Sequence, residues 1–260
     1  MALALGDLAE GLRRSWLWAA LAQQDLRLRY RGSVLGPFWQ TLTTAVMIAG
    51  MGFIYSKLFR IRVDSYLPML ALGLIFWMFV SALVTESCTT FTAVQGIIQQ
   101  VKLPFSVHVY RLLYRNLLTL AHNFLIVPVV LLIFPQPIQF WRLLELVPAL
   151  ALILVNGAWL AILLGMISAR FRDVPPIVAS VVQVVFFVTP VMWPLAALGA
   201  AARWVELNPL FAMIDVLRAP LLGVSQAPYS WTILIGMTVL GCATAFAFFA
   251  RFRHRLAFWV

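Results

Sequence analysis

Long apolar runs separated by short polar stretches dominate the hydrophobic pattern of the chain. A helix that crosses a membrane needs about 20 consecutive, mostly apolar residues, and several segments approach that length. They are residues 38–56, 65–85, 116–141, 146–169, the part of 174–202 that ends near Pro190 and Trp193, and 229–250. The pattern therefore predicts an all-α, polytopic membrane protein with six transmembrane helices.

Composition supports a membrane protein and changes the meaning of the charge. The 260 residues are 63% hydrophobic and 11% charged, whereas soluble domains carry about 25% charged residues. A formal net charge of +10 would suggest nucleic acid in a soluble protein. In a membrane protein it indicates topology and contact with anionic lipid instead, so we expect membrane lipid as a partner and no nucleic acid.

The distribution of cations orients the predicted spans. Cytoplasmic loops are enriched in Lys and Arg, and most of the 19 Lys and Arg lie on the side of the termini. This predicts a multi-pass protein of the bacterial inner membrane with both termini cytoplasmic, although Lys57, Arg60 and Arg62 make the first outer loop basic. The first basic residue is Arg13, so the beginning does not resemble a cleaved signal. Cys88 and Cys242 fall in or beside apolar runs and are predicted to be thiols rather than a disulfide.

The segment before the first span has a pattern of its own. Apolar residues recur on one helical face and polar residues on the other, which predicts an amphipathic helix in the inner interface. The apolar face holds Leu5, Leu8, Leu12 and Trp16, and the polar face holds Asp7, Glu10 and Arg14. Farther along, Asp25 and Arg29 have the spacing of an intrahelical ion pair, and Arg27 and Arg31 share a face.

Two other segments are neither clean spans nor free loops. Between spans two and three, Pro104 predicts that a short helix over residues 96–102 ends in a corner, because a residue before proline avoids the helical region. Between Trp193 and Tyr229 the chain is apolar but carries several prolines. This outer segment fits short re-entrant or interfacial helices covered by protein.

The chain has few residues suited to catalysis. It contains no Gly-Lys-Ser/Thr, so it has no P-loop for ATP, and its three histidines are scattered, which predicts no metal site. Glu86 fits an interfacial carboxylate or a functional intramembrane charge, and His122 fits helix packing or a proton relay. Ser225 stands without a recognisable base, which disfavours an intramembrane enzyme. The scarcity of intramembrane charge disfavours a secondary carrier.

Aromatic side chains are abundant within the spans. They fit either lipid contact or a path on which sugar rings stack, and the second hypothesis suits a long hydrophilic chain that must slide. The candidates for such a path are Tyr55, Trp77, Phe79 and Phe187.

Four segments together resemble a known family. The segments RLRYRGSVLGPFW (27–39), IIQQVKLPF (97–105), SARFRDVPPIV (168–178) and NPLFAMIDVLR (208–218) are similar to the membrane subunit of type-2 ABC exporters. The nearest likeness is to bacterial exporters of O-antigen, capsule and teichoic acid. The resemblance implies one domain over residues 1–260: an interface segment (1–35), spans one to five (36–194), an outer gate (195–228), span six (229–250) and a tail (251–260).

The resemblance also implies partners and site residues. We expect a homodimer bound to two copies of a separate ATPase subunit, which would hold ATP and Mg²⁺, so that this chain needs no cofactor and performs no covalent chemistry. The substrate would be a polysaccharide on a polyprenyl diphosphate carrier; an exporter of a small lipid or drug is the alternative. The implied ATPase contacts are Arg27, Arg29, Tyr30, Arg31, Gln99, Lys102, Leu103 and Pro104, and the implied outer-gate residues are Trp193, Asn208, Pro209 and Arg218.

Overall fold

A computed structural model describes residues 2–260, apart from the side chains of Ala2, Ala196, Ala197 and Ala200. These residues form helices and connecting segments, with no β-strand among them. The α-helices are α1 (Ala2–Arg13), α2 (Ser15–Arg29), α3 (Phe38–Leu58), α4 (Val63–Ser87), α5 (Gln95–Gln100), α6 (Ser106–Phe124), α7 (Ile126–Ile133), α8 (Leu146–Arg170), α9 (Val174–Val188), α10 (Ala202–Glu206), α11 (Pro209–Leu222) and α12 (Ser230–Trp259). Short 3₁₀ helices occupy Thr92–Val94, Phe140–Glu145 and Leu195–Ala201.

The helical content confirms the predicted class of polytopic membrane protein. In the described part of the chain, 5 helical segments are long and apolar enough to cross a membrane: α3, α4, α6 with α7, the 3₁₀ helix Phe140–Glu145 with α8, and α12. The fifth predicted span corresponds to α9, which has only 15 residues. At 1.5 Å per residue it is about 22 Å long, shorter than the roughly 30 Å hydrocarbon core. The count of six spans therefore stays a prediction.

The third predicted span has different limits in the structure. Its helix begins at Ser106, well before residue 116, and α7 ends at Ile133. The hydropathy pattern placed the start too late because Arg111 and Arg115 made the first turns look like a loop. Both arginines find carboxylate partners, so the helix continues through them. The last span likewise continues past residue 250, as α12 ends at Trp259.

The two ends of the bundle differ in charge. The basic end carries α2, α5 and the end of α12, where the guanidinium of Arg170 lies 5.5 Å from the ring centroid of Trp259. The other end carries α10 and α11, and is called the α11 end below. Helix α4 runs between them through the centre of the bundle. Within its most apolar 18-residue stretch, 67% of the residues are buried.

Helix α11 is a core element although it lies in the segment predicted to be re-entrant. Every residue from Phe211 to Leu222 is buried. The Asn208 side chain caps the helix by accepting the Leu210 N–H at 3.0 Å. Gly223 ends it at φ 69°, and a Cβ there would lie 2.2 Å from the Pro137 carbonyl oxygen. The sequence thus sets both ends of this helix.

The predicted polar face of the N-terminal segment is wrong at Asp7. Asp7 is 3% exposed and Ala4 is 2% exposed, so this face of α1 packs into the protein. Leu5, Leu12 and Trp16 are uncovered instead, as expected for the side of an interface helix that meets lipid. Periodicity alone assigned the carboxylate to water, because its partners, described below, lie far away in the sequence.

The two cysteines are free thiols, with Cys88 buried and Cys242 half-buried.

Candidate transport groove and docking corner

A groove of about 520 Å³ opens on the side of the bundle between α3, α4, α6 and α9. Its deeper part is apolar and aromatic, with Trp77, Phe79 and Phe186 among the lining residues. Toward the basic end its lining turns polar: Arg29, Gln40, Glu86, Arg115, Asn116, Thr119, Asn123 and Gln183. One continuous groove therefore joins a charged mouth to an aromatic interior.

The groove brings together only part of the predicted aromatic path. Trp77 and Phe79 line it, and the rings of Trp77 and Phe186 lie 5.2 Å apart. Tyr55 does not line it and stacks on Phe59 at 5.9 Å. Phe187 lies beside Phe186 but is 64% exposed outside the groove. The role of these rings in transport stays a prediction, and Phe186 joins the candidates because of its position.

Charged residues from three helices meet at the polar mouth. On α6, Arg115 donates to Glu86 of α4 at 2.8 Å, and Asn116 donates to the same carboxylate oxygen at 2.8 Å. Arg29 at the end of α2 lies 3.5 Å from the other oxygen of Glu86. Glu86 thus joins three helices at the groove mouth, through hydrogen bonds to α6 and an ion pair with α2.

The predicted ion pair between Asp25 and Arg29 is wrong. Asp25 instead accepts hydrogen bonds from Arg111 and, at 2.9 Å, from Arg115. Burial raises the pKa of the Asp25 carboxyl, but the two guanidinium groups outweigh it and hold the pKa below its ordinary value of 3.8. Two partners on a neighbouring helix win over one on the same helix because an exposed i,i+4 pair contributes only about 0.3–0.5 kcal/mol.

A side chain of α1, Asp7, holds the corner between α5 and α6 in place. Helix α5 ends at Gln100, two residues before the predicted end at 102, and Lys102, Leu103 and Pro104 form the corner that the proline predicts. The Asp7 carboxylate accepts the N–H groups of Phe105 and Ser106 at 3.1 and 3.0 Å. Such a double acceptor caps α6 from another helix.

The same carboxylate also anchors the end of α12. Arg253 lies 2.9 Å from Asp7, so three distant segments converge on one side chain. A surface groove of about 360 Å³ runs along this corner, lined by Leu3, Gly6, Asp7, Glu10, Lys102, Leu103, Pro104 and Arg253. We call this region the docking corner.

The other residues predicted to contact an ATPase lie around the same end. Arg27, Arg31 and Lys102 are exposed, and Leu103 is half-buried. Gln99 donates to the backbone oxygen of Val260 at 3.2 Å. Tyr30 donates to Gln40 at 2.8 Å, which ties the end of α2 to the first turn of α3. The structure places all eight predicted contacts at the basic end, but their role stays a prediction.

At the α11 end, several side chains hold the segment that follows α9. Arg218 donates to the Pro190 carbonyl at 2.8 Å, and Asn208 donates to Thr189 at 2.9 Å. Tyr66 donates to the Met192 carbonyl at 2.5 Å. We call residues 189–192 and these three side chains the latch.

Two of the predicted outer-gate residues belong to the latch and two flank it. Asn208 and Arg218 take part directly, while Pro209 occupies the first turn of α11. Trp193 donates to the Phe187 carbonyl at 3.3 Å. On α4, a Cβ at Gly73 would lie 2.7 Å from the Val191 carbonyl oxygen, so only glycine allows the segment to approach this closely.

Sequence reasoning missed Asp7, Arg111, Tyr66 and Phe186 as members of these sites. A signal existed for Arg111 and Arg115, because two arginines four residues apart inside an apolar helix need carboxylate partners. No local signal distinguishes Tyr66 or Phe186 from ordinary core aromatics.

Most of the elements described above lie within a match to one known protein family. Residues 17–222 match the profile of the family described as ABC-2 type transporter. The chain belongs to the ABC-2 transporter membrane family. It is the permease subunit of an ABC transporter, and the match runs from α2 to the last residue of α11.

Curated relatives agree with this assignment. A Myxococcus xanthus protein named O-antigen export system permease protein RfbA is 24% identical over 209 residues, which is 78% of this chain and 79% of the relative. Two Klebsiella pneumoniae proteins with the same name are 24% identical over 203 residues and 25% identical over 207 residues. Those alignments cover 76% of this chain and 77% of each relative. The resemblance to type-2 exporters stated from the sequence is therefore confirmed.

Proposed function

We propose that this ABC-2 permease subunit exports an O-antigen-type polysaccharide carried on a polyprenyl diphosphate. Two copies of the chain would enclose the conduit, and two copies of a separate ATPase subunit would bind ATP and Mg²⁺ and drive it. The chain would lie in the bacterial inner membrane with both termini cytoplasmic.

The groove is the observation that carries this proposal. A polysaccharide needs hydrogen-bonding groups at the mouth and surfaces that bind weakly inside, so that it can keep moving. The polar mouth and the aromatic interior of the groove offer these in that order. Sugar rings stack on aromatic faces with modest directional constraint, so Trp77, Phe79 and Phe186 suit a sliding glycan.

The uncovered helix faces beside the groove support the proposal that a second copy of the chain packs against them. Helix α9 has one buried residue, Val182. In α3, only 22% of the most apolar 18-residue stretch is buried. The groove opens between these two helices, so a matching chain placed against them would close it. A symmetric dimer is the commonest form of homo-oligomer among proteins.

The docking corner supports the proposal of an ATPase partner whose movement is passed to this chain. A proline-fixed corner transmits displacement well because the φ of Pro104 is locked, and Asp7 fastens it to α1 and α12. Lys102 in the corner is exposed, as are Arg27 and Arg31 at the same end of the bundle, which favours a partner surface with acidic patches. The chain has no Gly-Lys-Ser/Thr of its own, so ATP hydrolysis is assigned to that partner.

Export of a small lipid or drug is the alternative within the same family. The relatives' names favour polysaccharide. The polar lining at the mouth of the groove also favours a hydrophilic substrate over an apolar one.

Surface polysaccharide in a deletion strain tests the substrate. The wild-type gene should restore O-antigen at the surface, and Trp77→Leu or Phe79→Leu should reduce it several-fold while the protein remains inserted. Phe140→Leu is the control, because Phe140 is 84% exposed in the 3₁₀ helix Phe140–Glu145, away from the groove and from α3 and α9. Normal surface polysaccharide in the deletion strain itself would contradict the proposal.

Co-purification tests the partner. A P-loop subunit should accompany the wild-type chain, and Leu103→Asp should weaken that association because a carboxylate replaces an apolar contact. The control is Gln100→Asp, which places the same carboxylate at the end of α5 without removing an apolar side chain. Full association of the Leu103→Asp protein, with normal export, would exclude Leu103 from the contact.

A further inference from the structure

The charged side chains of the groove are confined to its mouth. Among the described residues that line it, only Arg29, Glu86 and Arg115 carry a formal charge. Glu86 lies 3.5 Å from Arg29 and 2.8 Å from Arg115, and Arg115 also pairs with Asp25 at 2.9 Å. Each cation at the mouth therefore already faces a carboxylate of the protein itself.

Beyond the mouth, the helices that border the groove have no charged side chain that could turn toward a glycan. Helices α3, α4, α6 and α9 hold no Asp, Glu, Lys or Arg over residues 38–56, 65–85, 116–124 and 174–188. A second copy that meets this face with its own α3 and α9 adds no cation, because those stretches are the same in both copies. We call this uncharged part of the groove the groove interior.

Cations are plentiful elsewhere in the chain, so their absence from the groove interior is not a matter of composition. Arg27 and Arg31 are exposed at the basic end, and Lys57 and Arg60 are exposed at the far end of α3. Arg218 is buried, but it belongs to the latch, where it donates to the Pro190 carbonyl. The groove interior is thus uncharged in a strongly basic protein.

The polar groups that the groove does offer suit uncharged sugars. Gln40, Thr119, Asn123 and Gln183 line it with amide and hydroxyl groups, which donate and accept hydrogen bonds as sugar hydroxyls do. Gln183 lies three residues before Phe186, so an amide and an aromatic ring share one face of α9. A neutral sugar can stack on this ring and bond to this amide, whereas a carboxylate or phosphate finds no cation beside them.

Passage of a polyanion has a different requirement. Pores for anions and phosphate line their path with Arg or Lys, because an unpaired charge that leaves water for a site of low dielectric suffers a large desolvation penalty. The diphosphate of the proposed carrier passes only once per polymer. A charge in each repeat unit would instead meet the uncharged groove interior at every repeat.

We propose that the groove selects polysaccharides whose repeat units carry no charge and disfavours polymers with a carboxylate or phosphodiester in every repeat. This inference rests on the proposed function, because it names the class of glycan that the same groove admits.

Transport by proteoliposomes that contain the full chain and its co-purified ATPase subunit tests this selectivity. The substrates are polyprenyl-diphosphate-linked oligosaccharides of equal length that differ only at C6 of one sugar in each repeat. That position carries a hydroxymethyl group, a carboxylate or the methyl ester of the carboxylate. Wild-type protein should transport the carboxylate glycan about tenfold more slowly than the hydroxymethyl glycan. The methyl ester should restore most of the rate, because it removes the charge and keeps the sugar ring.

A cation placed in the groove should narrow the difference. Gln183→Lys puts an ammonium group beside Phe186 and should reduce the preference for the uncharged glycan by about threefold or more. Gln183→Met is the matched control, because its unbranched side chain is similar in length and uncharged, and it should keep the wild-type ratio of the two transport rates. If the Gln183→Lys protein does not insert, the free and esterified carboxylate glycans still decide the question in wild-type protein.

The possible failures are distinguishable. Equal transport of the hydroxymethyl and carboxylate glycans would overturn the inference and leave the proposed export function standing. A methyl ester that is transported as slowly as the carboxylate would also overturn it, because the discrimination would then depend on shape. An inserted Gln183→Lys protein with the wild-type ratio would exclude the groove as the source of the selectivity. Transport of no glycan by wild-type protein would contradict the proposed function itself, and the inference would fail with it.

Discussion

The two ends of the bundle handle buried arginines differently. At the basic end, Arg111 and Arg115 share Asp25, and Arg115 also pairs with Glu86. At the α11 end, Arg218 is 8% exposed, and its described hydrogen bond goes to the Pro190 carbonyl. Asp215 stands three residues before it, yet accepts from Ala227 N–H and Ser230 O–H instead.

This contrast separates two ways of joining helices. Opposite charges on different helices tolerate small displacements, because Coulomb energy falls slowly with distance. A guanidinium on one backbone carbonyl needs close, directed geometry. The basic end therefore joins its helices mainly through charge pairs, and the latch joins its segments through directed hydrogen bonds to backbone carbonyls and side chains.

The largest expected effect is at Asp7, where one carboxylate fastens three segments of the basic end. Asp7→Ala should lower the free energy of unfolding by about 3–5 kcal/mol, because it leaves Arg253 and two buried N–H groups without their acceptor. Denaturant titration in detergent measures this loss. The exposed neighbour Glu10, which pairs with Arg14, gives the control Glu10→Ala, expected within about 0.5 kcal/mol of wild type. An equal loss of unfolding free energy in the two variants would mean that the Asp7 carboxylate does not hold the docking corner together.

At the α11 end, the matching test is Gly73. A valine there must displace the Val191 carbonyl from its contact with α4, which should cost about 1–3 kcal/mol and open the latch. Gly50→Val on α3 is the control, since a Cβ at Gly50 would meet no atom within 4 Å among the described residues. Protease sensitivity of the 189–201 segment should rise in the first variant alone; unchanged sensitivity in both would mean that the close approach does not hold the latch.

Double-mutant cycles measure the contrast itself. Asp25→Asn combined with Arg111→Gln should give a coupling energy of about 1–3 kcal/mol. Asp215→Asn combined with Arg218→Gln should give a smaller coupling energy, because these opposite charges attract each other without sharing a hydrogen bond in the described structure. A larger coupling at the α11 end would reverse the distinction drawn between the two ends.

The smallest effect is the pH dependence of the basic-end network. Because the pKa of Asp25 lies below its ordinary value of 3.8 in the folded protein, its contribution is complete above that value and is lost as the pH falls through the folded-state pKa. The stability difference between wild-type and Asp25→Asn proteins should therefore be constant from pH 7 to about 5 and shrink below about pH 4. A stability difference between the two proteins that grows as the pH falls would contradict a lowered pKa of Asp25.

The sequence predicts the apolar runs and the proline corner, because both are local properties, but it misplaces the start of α6 and the end of α12. The ends of α11 are local too, since Asn208 and Gly223 carry cap signals that a reader of the sequence can recognise. The partners of Asp7 and Asp25 are not local: they lie on α6 and α12, and no periodicity rule connects them. The same limitation explains why Tyr55 and Phe187 were grouped with Trp77 and Phe79, since apolar spans do not reveal which face borders a groove.

The central claim is that the groove carries the polysaccharide, and crosslinking from inside it is the most direct test. A photoreactive phenylalanine analogue replaces Phe186 in the groove or, as the control, Leu132 on α7, which is 82% exposed on another face. Cells making radiolabelled lipid-linked polysaccharide are irradiated while export is in progress. The account predicts a labelled adduct at position 186 that depends on the ATPase subunit, and none at position 132. Equal labelling at both positions, or labelling at neither, would contradict it.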